Sequence, residues 1–348
     1  MMIFKIRNTG LILLFIIFAG IAAQAQDRVE TMEPGSVTMD SVYLADYTEE
    51  LTSRLFLLFQ NASLQINPGG EKIDKIVYRP NTNVRIGIAG FWKWLGLGLS
   101  IDNPFLKTDR AAYGKTSTLD FRVNLFGRVF AGEFFIQKYK GFFISSPEMP
   151  GGSHYIVPDM GTFSIGVAGY WIYNSGRFSI RAAYTQNESQ KKSAGSLVIR
   201  PSFLYFLITS PHGIVPAAII DTFRIPAANL VTKGRFYSFG LSPGYIYTLV
   251  FLRHFYATAA VFPGIAVQFS LYSNEEKSTS GYAFNFQLGG RLVVGYNSEK
   301  WFLGGSVQTG FNEVPDRLSN ALFSYDVAQV RFWGGTRFDI FKKKKRAR

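Results

Sequence analysis

Residues 284–294 read Phe-Asn-Phe-Gln-Leu-Gly-Gly-Arg-Leu-Val-Val. Phe284, Phe286, Leu288, Leu292 and Val294 fall on one side of a period of two, and Asn285, Gln287, Gly289, Arg291 and Val293 on the other. That is the period of a β-strand, whose successive side chains point to opposite faces. The same alternation recurs over 119–125, where Leu119, Phe121, Val123 and Leu125 are interleaved with Asp120, Arg122 and Asn124. A soluble sheet would cover its apolar face with a second layer. Here the apolar side is crowded with aromatics in stretch after stretch, and no segment offers that cover. The pattern fits a closed barrel with lipid outside and a polar interior.

The start of the chain reads as a secretory signal. Lys5 and Arg7 precede an apolar run over 11–18, and Ala23-Gln24-Ala25 forms a cleavage site that leaves Gln26 first. The run is short for a bilayer span, and no cysteine follows it to carry lipid. Past the signal no stretch of about 18 apolar residues occurs, so no membrane-spanning helix is expected. The longest candidate, 255–267, is broken by Thr258, Pro263 and Gly264. With no cysteine in the chain, disulfides and thiol chemistry are excluded. The formal net charge is +13, most of it supplied by Lys5, Arg7 and the basic run over 342–348. A nucleic-acid partner would call for a basic surface with a recognisable module, and none is present. The expected organisation is a signal peptide at 1–25, an acidic periplasmic lead-in at 26–48 with a short helix near 42–51, a barrel at 49–341 and a basic periplasmic tail at 342–348.

Strand-like stretches fall at 51–59, 84–89, 95–101, 117–126, 128–138, 160–173, 177–186, 195–208, 235–250, 254–270, 282–296, 300–312 and 326–341. Short connections lie near 92–93, 126–128, 173–176, 252–253 and 297–299, and longer ones near 103–116, 139–159, 187–194, 271–281 and 313–325. Bacterial barrels have short periplasmic turns and long outer loops. The alternation therefore sets both termini in the periplasm and demands an even strand number. An odd count of stretches breaks that parity. Either 214–223 supplies one more strand, or two stretches belong to one. The expected fold is an all-β, transmembrane, antiparallel outer-membrane β-barrel of 12–14 strands, with 14 preferred.

Many of the 33 Phe, 18 Tyr and 5 Trp sit near predicted strand ends, among them Trp92, Trp94, Trp171, Tyr173, Phe255, Trp301 and Trp333. Aromatic rings favour the water–lipid boundary, where one end is wet and the other apolar. An echo links Ile-Gly-Ile-Ala-Gly-Phe-Trp-Lys-Trp at 86–94 with Ile-Gly-Val-Ala-Gly-Tyr-Trp-Ile-Tyr at 165–173. Duplication of a hairpin explains it, and so does a shared packing problem, with small residues inside and aromatics at the interface. Gly335, Phe338 and Ile340 make the pattern by which barrel-insertion machinery recognises a closing strand, although the chain continues past it.

Chemistry is sparse. His154, His212 and His254 have no second histidine at metal-ligand spacing, and no serine–histidine pair sits on a well-formed strand. No catalytic, cofactor or metal residue is expected. The alternation places Arg85, Arg122, Arg181, Arg200, Arg291, Arg331 and Arg337 in the lumen, against Asp120, Glu133 and Asp339. Charges at membrane depth are tolerated where they face a barrel interior and find partners.

Three segments carry a family resemblance: Tyr78-Arg79-Pro80-Asn81, Gln190-Lys191-Lys192-Ser193-Ala194-Gly195-Ser196 and Ser242-Pro243-Gly244-Tyr245-Ile246-Tyr247-Thr248. In this order they resemble a Bacteroidetes-type outer-membrane family known as a domain of unknown function. The resemblance spans about residues 40 to 341. It implies a barrel and the outer membrane, and brings no activity or site residues.

The functional expectation is a channel or small-solute binding barrel with an Arg-rich, anion-favouring interior. Its partners are outer-membrane lipids, the insertion machinery during biogenesis and a small anionic solute. The alternative is a plugged structural or assembly barrel that binds partners through its loops or basic tail. A membrane-lipid enzyme is the third reading.

Overall fold

The computed structural model describes residues 38–66, 75–82, 84–103, 105–106, 109–145, 154–223, 231–273, 278–315 and 322–339. The expected signal peptide, the start of the expected lead-in, Ile340 and the basic run at 342–348 lie outside the described residues. Among the described residues there are fifteen strands: β1 (Leu44–Asp46), β2 (Leu51–Ile66), β3 (Ile76–Arg79), β4 (Arg85–Trp92), β5 (Leu95–Asp102), β6 (Ser117–Phe126), β7 (Phe130–Ile144), β8 (Tyr155–Ile172), β9 (Glu188–Gln190), β10 (Ala194–Thr209), β11 (Lys233–Phe251), β12 (Phe255–Ser273), β13 (Ser278–Asn297), β14 (Trp301–Pro315) and β15 (Leu322–Phe338). Short helices are α1 (Arg110–Tyr113), α2 (Ile180–Tyr184) and α3 (Ala217–Phe223).

Twelve of these strands, β2, β4–β8 and β10–β15, pair antiparallel in a ring that β15 closes onto β2. Phe323 to Phe338 face Ile66 to Leu51 without a break in register. The expected preference for 14 strands is corrected to 12. The error lies at 177–186, where Phe178, Ile180, Ala182 and Tyr184 imitate strand alternation. In the structure that segment turns inward as α2, with Ser179 as its N-cap accepting from the Ala182 amide. From Phe178 onward it is buried, so its apolar spacing carries no information about a lipid face. The stretch at 214–223 is not a strand either; it holds α3. Likewise 187–194 is no outer loop, because β9 leads from α2 back to the wall. In place of a helix near 42–51, β1 pairs with β9, Leu44 opposite Gln190.

Short links join β4 to β5, β6 to β7, β11 to β12 and β13 to β14, all at one end, here termed the turn end. The other is the loop end. The outward face is apolar: Leu97, Leu197, Phe239, Ile265, Phe284, Phe286 and Leu303 are all exposed. Such a continuous apolar surface would be untenable in water. Aromatic rows edge it. Tyr237 meets Tyr205 and Phe269 toward the loop end, and Phe251 meets Phe255 at the turn end. From Tyr237 to Phe251 the strand runs for about 45 Å at 3.3 Å per residue. At a tilt near 45° that spans about 30 Å, the thickness of a bilayer core.

The wall is uneven. β4 and β5 have 8 residues each, whereas β11, β12 and β13 have 19 to 20. β3 bridges the dip above the short strands, pairing with β2 at 64–66 and with β7 at 143–144. Beside this bridge β7 carries a bulge at Gly141, whose φ is +91°. A Cβ there would come within 2.1 Å of the Lys115 carbonyl oxygen. We expect Gly141→Ala to lower the barrel's stability by about 1–3 kcal/mol, from strain and clash together. Urea unfolding in phospholipid vesicles reads this directly, and an unchanged midpoint would refute it.

The echo at 86–94 and 165–173 coincides with a shared packing arrangement. Gly87 lies under the Phe56 ring and Gly166 under the Phe135 ring, each from the neighbouring strand. Phe91 and Tyr170 point inward and are buried, while Trp92 and Trp171 face out at the turn end.

Candidate functional site

The lumen has three levels. At the turn end, α2 and β9 fill the barrel's cross-section, and residues 178–190 are all buried. Phe178, Ile180, Ala183 and Tyr184 pack against the inward side chains Phe56, Phe91, Phe126 and Tyr256. Polar contacts fix this plug from several strands. Arg54 on β2 donates to the Tyr184 carbonyl at 2.9 Å. Arg337 on β15 donates to the Gln186 carbonyl and to the Asn297 side chain. Asn297 in turn donates to the Glu188 carbonyl at 2.9 Å. The Glu188 carboxylate holds Arg181 at 2.9 Å and Arg128 at 3.0 Å. The lead-in lies beneath, with Tyr47 under the Arg337 guanidinium at 4.2 Å. Burial raises the Tyr47 phenol above its ordinary value, against the lowering pull of that guanidinium.

At the loop end the interior is apolar. Leu64, Ile66, Tyr78, Phe206, Ile208 and Phe236 from the wall surround Ile214, Val215 and Ile219 from the β10–β11 connection. The Tyr78 hydroxyl donates to the Ile214 carbonyl at 2.6 Å, which ties the inserted segment to the β3 bridge. Each large side chain buried here contributes about 1.5–3 kcal/mol.

Between these levels lies a cavity of about 250 Å³. Arg54, Arg122, Arg200, Arg291 and Arg331 line it, with Asp120 and Glu133 as the acids. Serines 202, 238, 242 and 306 and glutamines 287, 308 and 329 supply neutral polar groups. Asp120 is saturated: Arg85 at 3.1 Å, Arg122 at 3.1 Å and Gln137 at 2.9 Å all donate to it. Glu133 accepts from Tyr170 at 2.7 Å and from Arg291 at 3.2 Å. The Arg291 guanidinium also covers the Tyr184 ring at 4.0 Å, joining cavity to plug.

The residues singled out from sequence divide clearly. Arg122, Glu133, Arg200, Arg291 and Arg331 border the cavity, and Asp120 borders it while paired with Arg85 behind. Arg337 faces inward below the cavity, at the plug. Two placements need correction. Arg181 sits on α2, not on a strand, and reaches Glu188 and the Phe126 carbonyl. Asp339 lies past the end of β15 and is exposed. The sequence reading missed Arg54. Its signal was present, since it sits between Ser53 and Leu55 on a strand whose odd positions face out. His154 packs between Tyr113 and Phe143 at the loop end, His212 is exposed near Asp159, and His254 lies against Tyr296 at the turn end. None of the three lines the cavity. Among the described residues no cluster of His, Cys, Asp or Glu could hold a metal ion.

A family model described as a domain of unknown function (DUF4421) matches residues 38–327. The chain belongs to that DUF4421 family. The match covers the end of the lead-in, the plug and the barrel as far as the first part of β15, while Arg331 and Arg337 lie beyond it. None of the curated proteins matches the chain. Among solved structures, the outer membrane protease OmpT of Escherichia coli is similar at 9% identity and a TM-score of 0.33, over 84% of this chain and 97% of that one. The Pseudomonas putida toluene transporter TodX is similar at 6% identity and 0.28, over 83% and 90%. Ail of Yersinia pestis is similar at 9% identity and 0.21, over 83% and 98%. Such distant likenesses carry nothing about activity.

Proposed function

We propose that this DUF4421 barrel sits in the bacterial outer membrane with its turn end and both termini in the periplasm, and that its lumen binds and passes small anions. The charge of the cavity carries the reading: five lining guanidinium groups face two carboxylates, and both carboxylates are already engaged. A positive interior of this kind favours anions. The apolar outer belt and the split between short and long connections support the location and orientation. The plug and the β10–β11 insertion describe a resting state that conducts only when both move aside.

The test is conductance of the refolded protein in planar bilayers across a salt gradient. We expect brief openings whose reversal potential shows anion preference. Arg200→Gln should lower that preference, because Arg200 contacts Glu133 only indirectly, through the Tyr170 hydroxyl at 3.4 Å. Silent bilayers with inserted protein, for both the native chain and one with a weakened plug, would refute the passage.

The complete burial of 178–190 favours a second reading, a structural barrel that meets partners through its loops or tail. Removal of 342–348 would then abolish partner binding while insertion persists.

A further inference from the structure

Arg54, Arg331 and Trp333 form one patch of the cavity wall. On the paired strands β2 and β15, Trp333 stands opposite Phe56 and Arg331 opposite Leu58. The Nε atoms of Arg54 and Arg331 and the indole Nε1 of Trp333 are buried and have no hydrogen-bond partner. All three can only donate. Ring stacking fixes their direction: Arg54 lies 4.7 Å from the Phe91 centroid and 5.5 Å from that of Trp333, and Arg331 lies 5.0 Å from Phe56. The cavity's own carboxylates are committed elsewhere, Asp120 to Arg85, Arg122 and Gln137, Glu133 to Arg291 and Tyr170. The complement of a fixed, donor-only, positively charged patch is an acceptor-only oxyanion.

The wall from β10 to β14 has a different character. Ser202, Ser238, Ser242, Ser306 and Gln287 line it. Hydroxyl and amide groups both donate and accept, which matches sugar hydroxyls and not a hydrocarbon tail or a second charge. The Ser242 Oγ is itself buried without a partner. The volume, about 250 Å³, falls just below the range of drug-sized pockets, about 300–1,000 Å³. It suits one monosaccharide-sized molecule.

We propose that the cavity is a binding site for a small polyhydroxylated anion, a sugar acid or sugar phosphate, with its oxyanion at Arg54, Arg331 and Trp333 and its hydroxyls on the serine-lined arc. The inference rests on the anion reading of the lumen and deepens it.

Calorimetry on the detergent-purified full chain tests it with gluconate, glucose 6-phosphate, glucose and inorganic phosphate as probes. We expect saturable binding of gluconate or glucose 6-phosphate, with glucose and phosphate each weaker by about tenfold or more. Binding of gluconate alone identifies a carboxylate ligand, and of glucose 6-phosphate alone a phosphate ester. Arg331→Gln should weaken binding by about tenfold. Trp333→Phe, which keeps an aromatic ring but removes the N–H donor and part of the indole, should weaken it several-fold and serves if Arg331→Gln does not fold. Glucose binding as tightly as the anions, affinity unchanged in the folded variants, or no saturable binding of any probe would overturn the site. Anion-selective conductance without saturable binding would overturn it and leave the passage standing. Binding without conductance would refute the passage and keep the site.

Discussion

Glu188→Ala will convert rare openings into steady conductance. The Glu188 side chain is 1% exposed and neutralises two arginines, Arg181 and Arg128, whose own side chains are 8% and 19% exposed. Removing one partner of a buried ion pair leaves a stranded charge and costs about 3–5 kcal/mol. Arg128 retains some access to water, which moves the expectation to the low end. In the displaced state both guanidinium groups regain solvent, so most of the cost falls on the docked plug alone. At 1.4 kcal/mol per decade, about 3 kcal/mol raises the open fraction roughly a hundredfold. The remaining ties do not compensate. Arg54 and Arg337 hold the plug by donating to backbone carbonyls of Tyr184 and Gln186, and those bonds can be exchanged for water. Glu188→Gln keeps an acceptor for one arginine and should open the barrel less. Planar-bilayer recordings distinguish these variants. An inserted Glu188→Ala barrel that stays as quiet as the native one would mean that the plug is permanent or that the insertion at 214–219 closes the lumen by itself.

The sequence made the wall legible and hid the plug, for a physical reason. Along β13, Phe284, Phe286 and Leu288 face lipid while Asn285, Gln287 and Gly289 face the lumen, so the two environments are written into alternate positions. Along 178–190 every residue is buried whatever its type, so side-chain chemistry no longer reports direction. Phe178, Ile180 and Tyr184 read as a strand, and Arg181 as a lumen arginine on it. The capping serine at 179 was the local clue to a helix. Strand parity did reveal that one stretch was misread, but it could not say which. The cavity itself was half legible. Inward arginines on clear strands, such as Arg122 and Arg291, could be listed from alternation. Their partners could not, because Glu133 and Arg291 are 158 residues apart and meet only when the ring closes. Nor could the sequence show that Arg331 and Trp333 are left without acceptors, which depends on every neighbouring carboxylate being taken.

The strongest effect on the barrel's stability should come from Asp120. This carboxylate is 1% exposed and neutralises Arg85, which is 2% exposed. It also accepts from Arg122 and Gln137. Asp120→Ala removes the hub from all three at once. Arg85 then keeps only the Ser100 carbonyl at 3.0 Å and Asp102 at 3.7 Å, the latter carboxylate 43% exposed. Stranding a buried charge in this way costs about 3–5 kcal/mol. The position aggravates the loss. Arg85 opens β4 and Asp120 lies on β6, so their bridge braces the three short strands at the dip, where the wall has least backbone pairing to spare. Asp120→Asn retains an acceptor and should cost less than half as much. Arg85→Met combined with Asp120→Leu should recover most of the loss, since two apolar groups of similar volume need no partner. Urea unfolding in phospholipid vesicles gives all three values. If Asp120→Ala unfolds within about 1 kcal/mol of the native barrel, as an exposed pair would, then water reaches this cluster from the lumen. The cavity would then extend to the loop end, and the apolar insertion at 214–219 would not be the barrier that separates it from the outside.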